Sequence, residues 1–447
     1  MTILGLDLFM SSKNLERRVV PFFLCLLIGV SVSAAEVTWK PANEISQKAL
    51  ERADLKGPGP RDATGYLPEK KYPFTSPLNA EEIGYRLMNF NHVASWAHML
   101  ADCYGSVTKE GYLTEGITLG MIDNVGSEGG PEARIYGSPG DVFQRWNYYY
   151  TYPPKSEGEQ QVWHLRRTGR DEPTKLDFFV YSPSLRRVRR QPPPRRDAQF
   201  PNSVQTFDDI VGLEAWEFEW TLIGSDILYS TVRFPSNRPM LTLARAGGRF
   251  YEQEASKIRM MGDDYPYYRK DNGIDTFVVT AVPRGDWLPK YRIGRVVYWV
   301  DQHYFFPLRI ETYDREGELL AIQVRMGERQ NPNLPDGHGY TNPHSAYWDV
   351  RLDLVTYSAH DSMALAEWTK EEKETLFNPD FMRRRWNRNN AKSQVLIRDP
   401  KRFHLRPEIL EGRFPTYRSI NLSPEVLARV KAQNAAGRLV FAGETLE

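Results

Sequence analysis

Three short strands joined by two tight connections constrain this sequence most, and they lie within residues 295–325. Residues 296–300, 307–313 and 319–324 are each rich in β-branched, aromatic or aliphatic side chains. Residues 314–317, Asp-Arg-Glu-Gly, supply turn chemistry before the third run. Because such short connections place successive strands side by side, the pattern predicts an antiparallel meander.

Apolar and polar residues alternate along the second and third strands of this meander. One face carries Leu308, Ile310, Leu320, Ile322 and Val324, and the other carries Arg309, Glu311, Gln323 and Arg325. Such alternation is typical of a sheet with one buried face, and we predict that this face lines a hydrophobic groove. An earlier strand is predicted to add Phe179 and Tyr181 to the groove. A register slip of one residue would exchange these for Phe178 and Val180.

The amino terminus has the parts of a secretory signal peptide. Basic residues precede an apolar run at residues 19–32, which ends in a short stretch of small residues. The sequence therefore predicts a signal peptide over residues 1–35, with Met1 and Met10 both open as its start. The mature protein is expected in the periplasm, either free or peripheral to the outer membrane.

Composition limits the classes of molecule that this chain is expected to bind. The formal net charge of +1 gives no global attraction to nucleic acid or to a membrane surface. No later apolar run approaches the roughly 20 residues needed to span a bilayer. Cys25 lies in the predicted leader, which leaves Cys103 alone, so no internal disulfide is expected and the fold must be held by its core.

The mature chain divides into three regions. Residues 36–76 are rich in Pro, Gly and charge and are predicted to form an extended arm. Residues 77–358 carry mostly strand signals and are predicted to form a large antiparallel sheet, curved or closed. Residues 359–447 are predicted to form a helical extension packed on this sheet.

One helix is predicted early in the strand-rich region, at residues 79–103. Asn79 can cap it with Glu82 reaching back, and apolar residues recur at helical spacing. Gly105 can end it. Two interpretations stay open, a helical plug inside the curved sheet or an ordinary packed helix.

Three segments together resemble a known family. Residues 175–190 join an apolar strand through a Pro-containing turn to an Arg-Arg-Val-Arg return, and residues 200–213 contain an Asp-Asp-Ile connection. With residues 295–325, these segments resemble the exported family of domain of unknown function 1329 and the outer-membrane lipoprotein-sorting (LolA-like) proteins. The resemblance extends over residues 79–355.

The resemblance implies a fold and a type of ligand. The fold would be mainly β with helices (α+β), a LolA- and LppX-like half-closed antiparallel β-barrel with a helical plug and C-terminal helices. Its concave face would hold an acyl chain or another hydrophobic molecule, without a cofactor or metal. Relatives of this kind imply an RND-type transporter or an outer-membrane protein as partner. The arm and the C-terminal extension have no counterpart in small lipoprotein carriers.

Two side-chain clusters each have two interpretations. Arg186, Arg187, Arg189 and Arg190 could dock an anionic head group or an acidic partner, or they could form a solvated strand end. The aromatic residues around Trp146 could line a ligand cavity, or they could be ordinary core and sheet residues.

The sequence has no nucleophile or metal signature that nominates an enzyme. Glu217 and Glu219 could form a carboxylate pair, although residues two apart on a strand more often form a solvated face. Three hypotheses follow: a periplasmic carrier of a hydrophobic ligand, a ligand-free adaptor of an envelope complex, and a hydrolase of envelope polysaccharide. The carrier hypothesis is preferred and predicts no chemistry.

Overall fold

The structure is a computed structural model. It describes residues 78–90, 98–108, 111–124, 139–229, 240–245, 249–254, 257–262, 265–329, 340–365 and 370–382. The predicted signal peptide and extended arm, and most of the predicted C-terminal extension, lie outside these residues.

The described residues are mostly strand. The strands are β1 (His98–Thr108), β2 (Gly111–Asn124), β3 (Val142–Tyr152), β4 (Gln160–Arg166), β5 (Leu176–Ser182), β6 (Arg187–Gln191), β7 (Phe218–Tyr229), β8 (Met240–Arg245), β9 (Arg249–Glu254), β10 (Gly273–Pro283), β11 (Ile293–Asp301), β12 (Pro307–Asp314), β13 (Leu319–Arg329), β14 (Tyr340–Asp349) and β15 (Leu354–Leu365). The helices are α1 (Ala80–Tyr85), α2 (Phe207–Val211), α3 (Lys370–Leu376) and α4 (Pro379–Phe381). No helix in the described ranges is both long enough and apolar enough to cross a bilayer.

Thirteen of these strands form one antiparallel sheet. Their order is β6-β5-β4-β3-β2-β1-β15-β14-β13-β12-β11-β10-β7, and β8 and β9 form a separate hairpin. Because β6 and β7 are the two ends of this order, the sheet is open. The predicted fold class, a large curved antiparallel half-barrel with helices, is confirmed.

The pairing of β1 with β15 joins the early and late strands of the chain. Val107 lies opposite Val355 in this pair, and β15 continues past residue 358, where the predicted domain boundary falls. Strands β1 to β6 extend to one side of this junction and strands β14 to β10 to the other. The chain must therefore cross from the β6 edge to the β7 edge between residues 191 and 218.

The predicted meander is present. Strands β11, β12 and β13 pair in succession, with Tyr298 opposite Ile310 and Ile310 opposite Gln323. Gly317 has a φ of +88° and its amide bonds the carbonyl of Asp314 at 3.2 Å, which closes the turn. Glycine tolerates this backbone conformation at no steric cost.

The helix predicted at residues 79–103 is shorter than expected. Asn79 caps α1 and Glu82 completes the capping box, as predicted, but the helix ends in a single π turn at Arg86–Phe90. The predicted end is wrong, because His98–Thr108 forms strand β1 between β2 and β15. Pairing on both sides satisfies the backbone groups of this segment and overrides its helical pattern.

Both faces of the sheet are covered. One face carries an apolar cluster in which α1 packs on β7, β10 and β11, with Ile83, Trp220 and Tyr298 among its members. The other face, here called the outer face, carries a second cluster that includes Trp299, Val324 and Met260. The sheet is therefore the middle layer of the domain, and apolar residues are needed on both sides of it.

The segment that contains α3 and α4 packs on the outer face of β3 and β4. Asn147 donates to the carbonyl of Leu376 at 2.7 Å, and a ring nitrogen of His164 lies 2.8 Å from the carbonyl of Phe377. Lys373 pairs with the buried Asp123 at 2.9 Å. These contacts hold the C-terminal segment against the strands of the early half.

Candidate ligand cavity

The segment that crosses between the sheet edges covers the face opposite the outer face. Residues 200–214, here called the plug, contain α2, which Thr206 caps together with Asp209. The backbone amide of Val204 donates to the hydroxyl of Thr356 at 2.8 Å, and the side-chain amide of Gln205 donates to the hydroxyl of Tyr347 at 3.3 Å. The plug is thereby fixed to β14 and β15. The plug of this fold is this connection, whereas α1 packs near the β7 edge.

A cavity of about 460 Å³ lies between the plug and the sheet. Its volume is within the range of about 300–1,000 Å³ that small-molecule sites occupy. Every strand from β4 to β11 in the sheet order contributes to its wall. The strand residues that line it include Trp163, Trp146, Tyr148, Thr118, Ile122, Tyr104, Ser106, Thr356, Ser345, Tyr347, Gln323, Arg325, Ile310, Thr312, Val296 and Tyr298.

The wall near β3 and β4 is aromatic. Trp146 and Trp163 stack with ring centroids 5.4 Å apart, and Tyr148 meets both rings edge-on. Phe207 of the plug lies 6.3 Å from Trp163. Trp146, Tyr148 and Trp163 therefore match the cavity-wall interpretation and give the cavity a broad apolar surface, whereas Trp216 and Trp220 match the core interpretation.

A buried ion cluster closes one end of the cavity. Glu214 accepts hydrogen bonds from Lys175 at 2.6 Å and from Arg167 at 2.9 Å, and these three residues line the cavity. All three side chains are almost fully buried. Charged side chains that are shielded from water need an oppositely charged partner, and each of these three has one.

A second group of charged side chains joins helix α2 of the plug to the residues that flank the plug on both sides. Arg196 pairs with Asp208 at 2.8 Å and with Glu217, whose second oxygen it reaches at 2.7 Å. Tyr291 donates to Asp208 at 2.5 Å, and Thr168 donates to Glu217 at 2.5 Å. The plug is therefore tied to the β11 side of the sheet by charge as well as by packing.

Burial and pairing shift the protonation equilibria of this cluster. Burial lowers the pKa of Lys175, against the attraction of Glu214. The pKa of Glu217 lies below its usual value, because Arg196 and Lys175 outweigh the opposing effect of burial. Burial raises the pKa of Asp208. The cluster brings together three basic side chains, Arg167, Lys175 and Arg196, and three acidic ones, Asp208, Glu214 and Glu217.

The predicted groove residues of the meander are divided between the two faces of the sheet. Ile310 lines the cavity. Leu308 belongs to the outer cluster, because a bulge opposite Trp299 and Val300 inserts it as an extra residue. Val324 also lies in the outer cluster, and the buried Ile322 follows the same alternation. Leu320 is half-buried beside another bulge.

The polar face of β13 is the one that meets the cavity. Gln323 and Arg325 line it, although the sequence assigned them to the solvent-facing side. The predicted orientation of this strand is therefore corrected. The physical reason is that the outer face is also buried, so the alternation of apolar and polar residues along one strand does not identify the face that lines the cavity.

Strand β5 also turns its predicted groove residues to the outer face. Phe179 and Tyr181 pack with Val162 and Met382, under the C-terminal segment on the outer face. Phe178, from the alternative set, contacts Trp163 at 5.2 Å between ring centroids. The alternative register therefore matches the direction of Phe178, although neither Phe178 nor Val180 is among the described residues that line the cavity.

The predicted arginine cluster lies on an exposed edge. Arg186 occupies the turn before β6 with a φ of +50°, and Arg187, Arg189 and Arg190 follow on β6, which ends the sheet. Arg190 pairs with Asp177 at 2.6 Å. Charged side chains on an edge strand also discourage pairing with another chain.

The two glutamates that suggested a hydrolase are in different surroundings. Glu217 is buried and committed to Arg196 and Thr168, whereas the side chain of Glu219 is 68% exposed. They therefore do not flank a common substrate position. Among the described residues, no group of His, Cys, Asp and Glu is arranged to hold a metal ion.

Fold and cavity together define a class of protein: an open antiparallel half-barrel that encloses a cavity behind a crossing segment of its own chain. The chain belongs to the family described as Protein of unknown function (DUF1329), whose model matches residues 42–383. This confirms the family resemblance of the three sequence segments. No curated protein matches the chain.

Solved structures of similar shape come from several bacteria. One is a domain assigned as an outer membrane lipoprotein-sorting protein from Vibrio parahaemolyticus, with 16% identity, a TM-score of 0.44, and coverage of 68% of this chain and 97% of that chain. Another is a DUF1329 family protein from Desulfovibrio piger, with 15% identity, a TM-score of 0.45, and coverage of 67% and 98%. A LolA superfamily protein from Nitrosomonas europaea has 13% identity, a TM-score of 0.39, and coverage of 68% and 99%.

Proposed function

We propose that this chain is an exported binding protein that carries a hydrophobic ligand in the cavity under the plug. The observation that carries the proposal is the cavity between the plug and the sheet, with its aromatic wall at Trp146 and Trp163. Transfer of an apolar chain from water into this cavity contributes about 0.8 kcal/mol of favourable binding free energy per methylene group. The ligand is expected to be lipid or lipid-like, and the proposal includes no chemical step.

The signal-peptide pattern at residues 1–35 supports a periplasmic location. A carrier there would load and unload at membranes or at membrane proteins. We therefore extend the proposal to a partner of the RND-transporter or outer-membrane class. The exposed arginines at Arg187 and Arg189 on the open edge strand β6 offer a docking surface for an acidic partner.

The ligand can be tested by native mass spectrometry of protein purified from the periplasm without detergent, followed by solvent extraction. We expect a stoichiometric apolar molecule. Thr312→Trp fills the cavity from β12 and should abolish this mass, whereas Glu316→Trp, in the exposed turn after the same strand, should retain it. A clean apo mass for the wild type would refute the carrier proposal.

The partner can be tested by cross-linking in intact cells. Replacing Arg187 and Arg189 by Glu should lower the yield of a cross-linked envelope protein at least fivefold without loss of the bound ligand. An unchanged yield would remove this edge from the proposed docking surface. A cross-linked partner together with an apo mass would instead support the adaptor hypothesis.

A further inference from the structure

One cation on the cavity wall is set apart from the ion clusters. Arg325 is 9% exposed and lines the cavity from β13. No carboxylate lies within 4.0 Å of its guanidinium among the residues that the structure describes, whereas the cavity-lining Arg167 and Lys175 both pair with Glu214. A buried cation without a counterion is costly, so Arg325 is a candidate for binding an anionic group of a ligand.

The surroundings of Arg325 hold it in place without neutralising it. With the Gln323 amide oriented so that its oxygen faces the donors, that oxygen accepts from Nε of Arg325 at 2.7 Å and from Nη2 at 3.1 Å. It also accepts from the hydroxyl of Tyr347 at 2.8 Å. A neutral amide orients a guanidinium but contributes no negative charge. The guanidinium fork of Arg325 is therefore held beside the cavity by neutral groups.

The carboxylate that acts on Arg325 from the plug is Asp209. It is beyond ion-pair distance, and its Oδ2 accepts from the amide of Thr206 at 2.7 Å and from the hydroxyl of Thr206 at 2.8 Å. Asp209 is thus committed to capping α2. Burial raises its pKa, while Thr206 and Arg325 oppose the shift. Asp209 therefore does not form a direct ion pair with Arg325.

We infer that Arg325 binds the anionic head group of a single-chain amphiphile whose apolar chain occupies the rest of the cavity. This rests on the carrier function proposed above and specifies its ligand class. A carboxylate or phosphate supplies oxygens that match the guanidinium fork. Either would neutralise the one cation that, among the described residues of the wall, has no carboxylate within ion-pair distance. The cavity of about 460 Å³ suits one chain better than a two-chain lipid.

The test compares ligands that differ in the head group but share the same length of apolar chain. Binding of palmitate, hexadecyl phosphate and hexadecanol to delipidated full-length protein is measured by titration calorimetry at pH 7.5. The wild type should bind at least one of the two anions tenfold or more tightly than the alcohol, and the tighter anion identifies the head group. Arg325→Gln should weaken the anions at least tenfold and leave hexadecanol within twofold.

Two further variants separate charge from structure. Arg325→Lys keeps the charge and should retain most of the preference for the anion. Asp209→Asn removes the competing negative charge and should strengthen anion binding. Arg351→Gln, at an exposed arginine, is the control and should match the wild type. Thermal melting of each variant verifies its fold.

The outcomes distinguish this inference from the function on which it rests. If palmitate, hexadecyl phosphate and hexadecanol bind equally well, or if Arg325→Gln and the wild type bind the anions equally, the head-group site is refuted while the carrier function stands. If none of the three ligands binds to the wild type, both proposals are refuted.

Discussion

Glu214 is the carboxylate whose loss should harm this fold most. It is fully buried and is the shared acceptor of Lys175 and Arg167, both of which are 3% exposed. Glu214→Gln keeps the shape of the side chain but removes the charge, which leaves two buried cations with one amide oxygen between them. Removing one partner of a buried ion pair costs about 3–5 kcal/mol, which is a large share of the roughly 5–15 kcal/mol that stabilises a domain.

The assay is the free energy of unfolding from urea denaturation at pH 7, followed by tryptophan fluorescence. We expect the midpoint to fall by the equivalent of about 3–5 kcal/mol with an unchanged slope. The matched control is Asp286→Asn, which breaks the pair with Arg170, where both side chains are more than half exposed. It should cost at most about 1 kcal/mol. If Glu214→Gln lowers the free energy of unfolding by less than about 1 kcal/mol, the premise that the ion cluster is shielded from water is refuted.

Three further predictions concern stability and are measured by the same denaturation assay. Burial lowers the pKa of His344 to about 3, so between pH 6.5 and pH 3 only the unfolded state takes up its proton. The wild type should then lose about 1.4 kcal/mol per pH unit relative to His344→Phe as the pH falls, and equal slopes would contradict this. Burial raises the pKa of Asp301 to about 7, so the sign is opposite: relative to Asp301→Asn, the wild type should gain about 1.4 kcal/mol per unit from pH 7 to pH 4. Gly294→Ala places a Cβ 2.4 Å from the backbone oxygen of Asp314 and should cost about 1–3 kcal/mol, whereas an unchanged midpoint would show that the bulge there can open.

Much of the fold could be predicted from local pattern. The meander, the strand and return at residues 175–190, and the cap at Asn79 depend on alternation, turn residues and capping chemistry, all of which act within a few residues. The family follows from the same segments. The structure places each of these where the sequence predicted it.

The cavity wall could be predicted only in part. The sequence indicates Ile310 and, in one of two interpretations, the aromatic residues around Trp146, and Ile310, Trp146, Tyr148 and Trp163 line the cavity. Alternation predicts the opposite side for Gln323 and Arg325, because a polar residue next to an apolar one in a strand usually faces water. The signal that could identify them is the long connection at residues 200–213. Its mixture of polar and apolar residues indicates that it packs against a sheet face that is itself partly polar.

Local sequence pattern is enough to predict most of the strands, several of their turns, and the family to which the chain belongs. The tertiary structure settles which side of each strand is the inside, because the outer layer and the plug bury both faces of the sheet. It also ended the first helix early by pairing β1 with β2 and β15. These outcomes depend on contacts between residues far apart in the chain, and periodicity within one strand contains no information about what lies on either side of it.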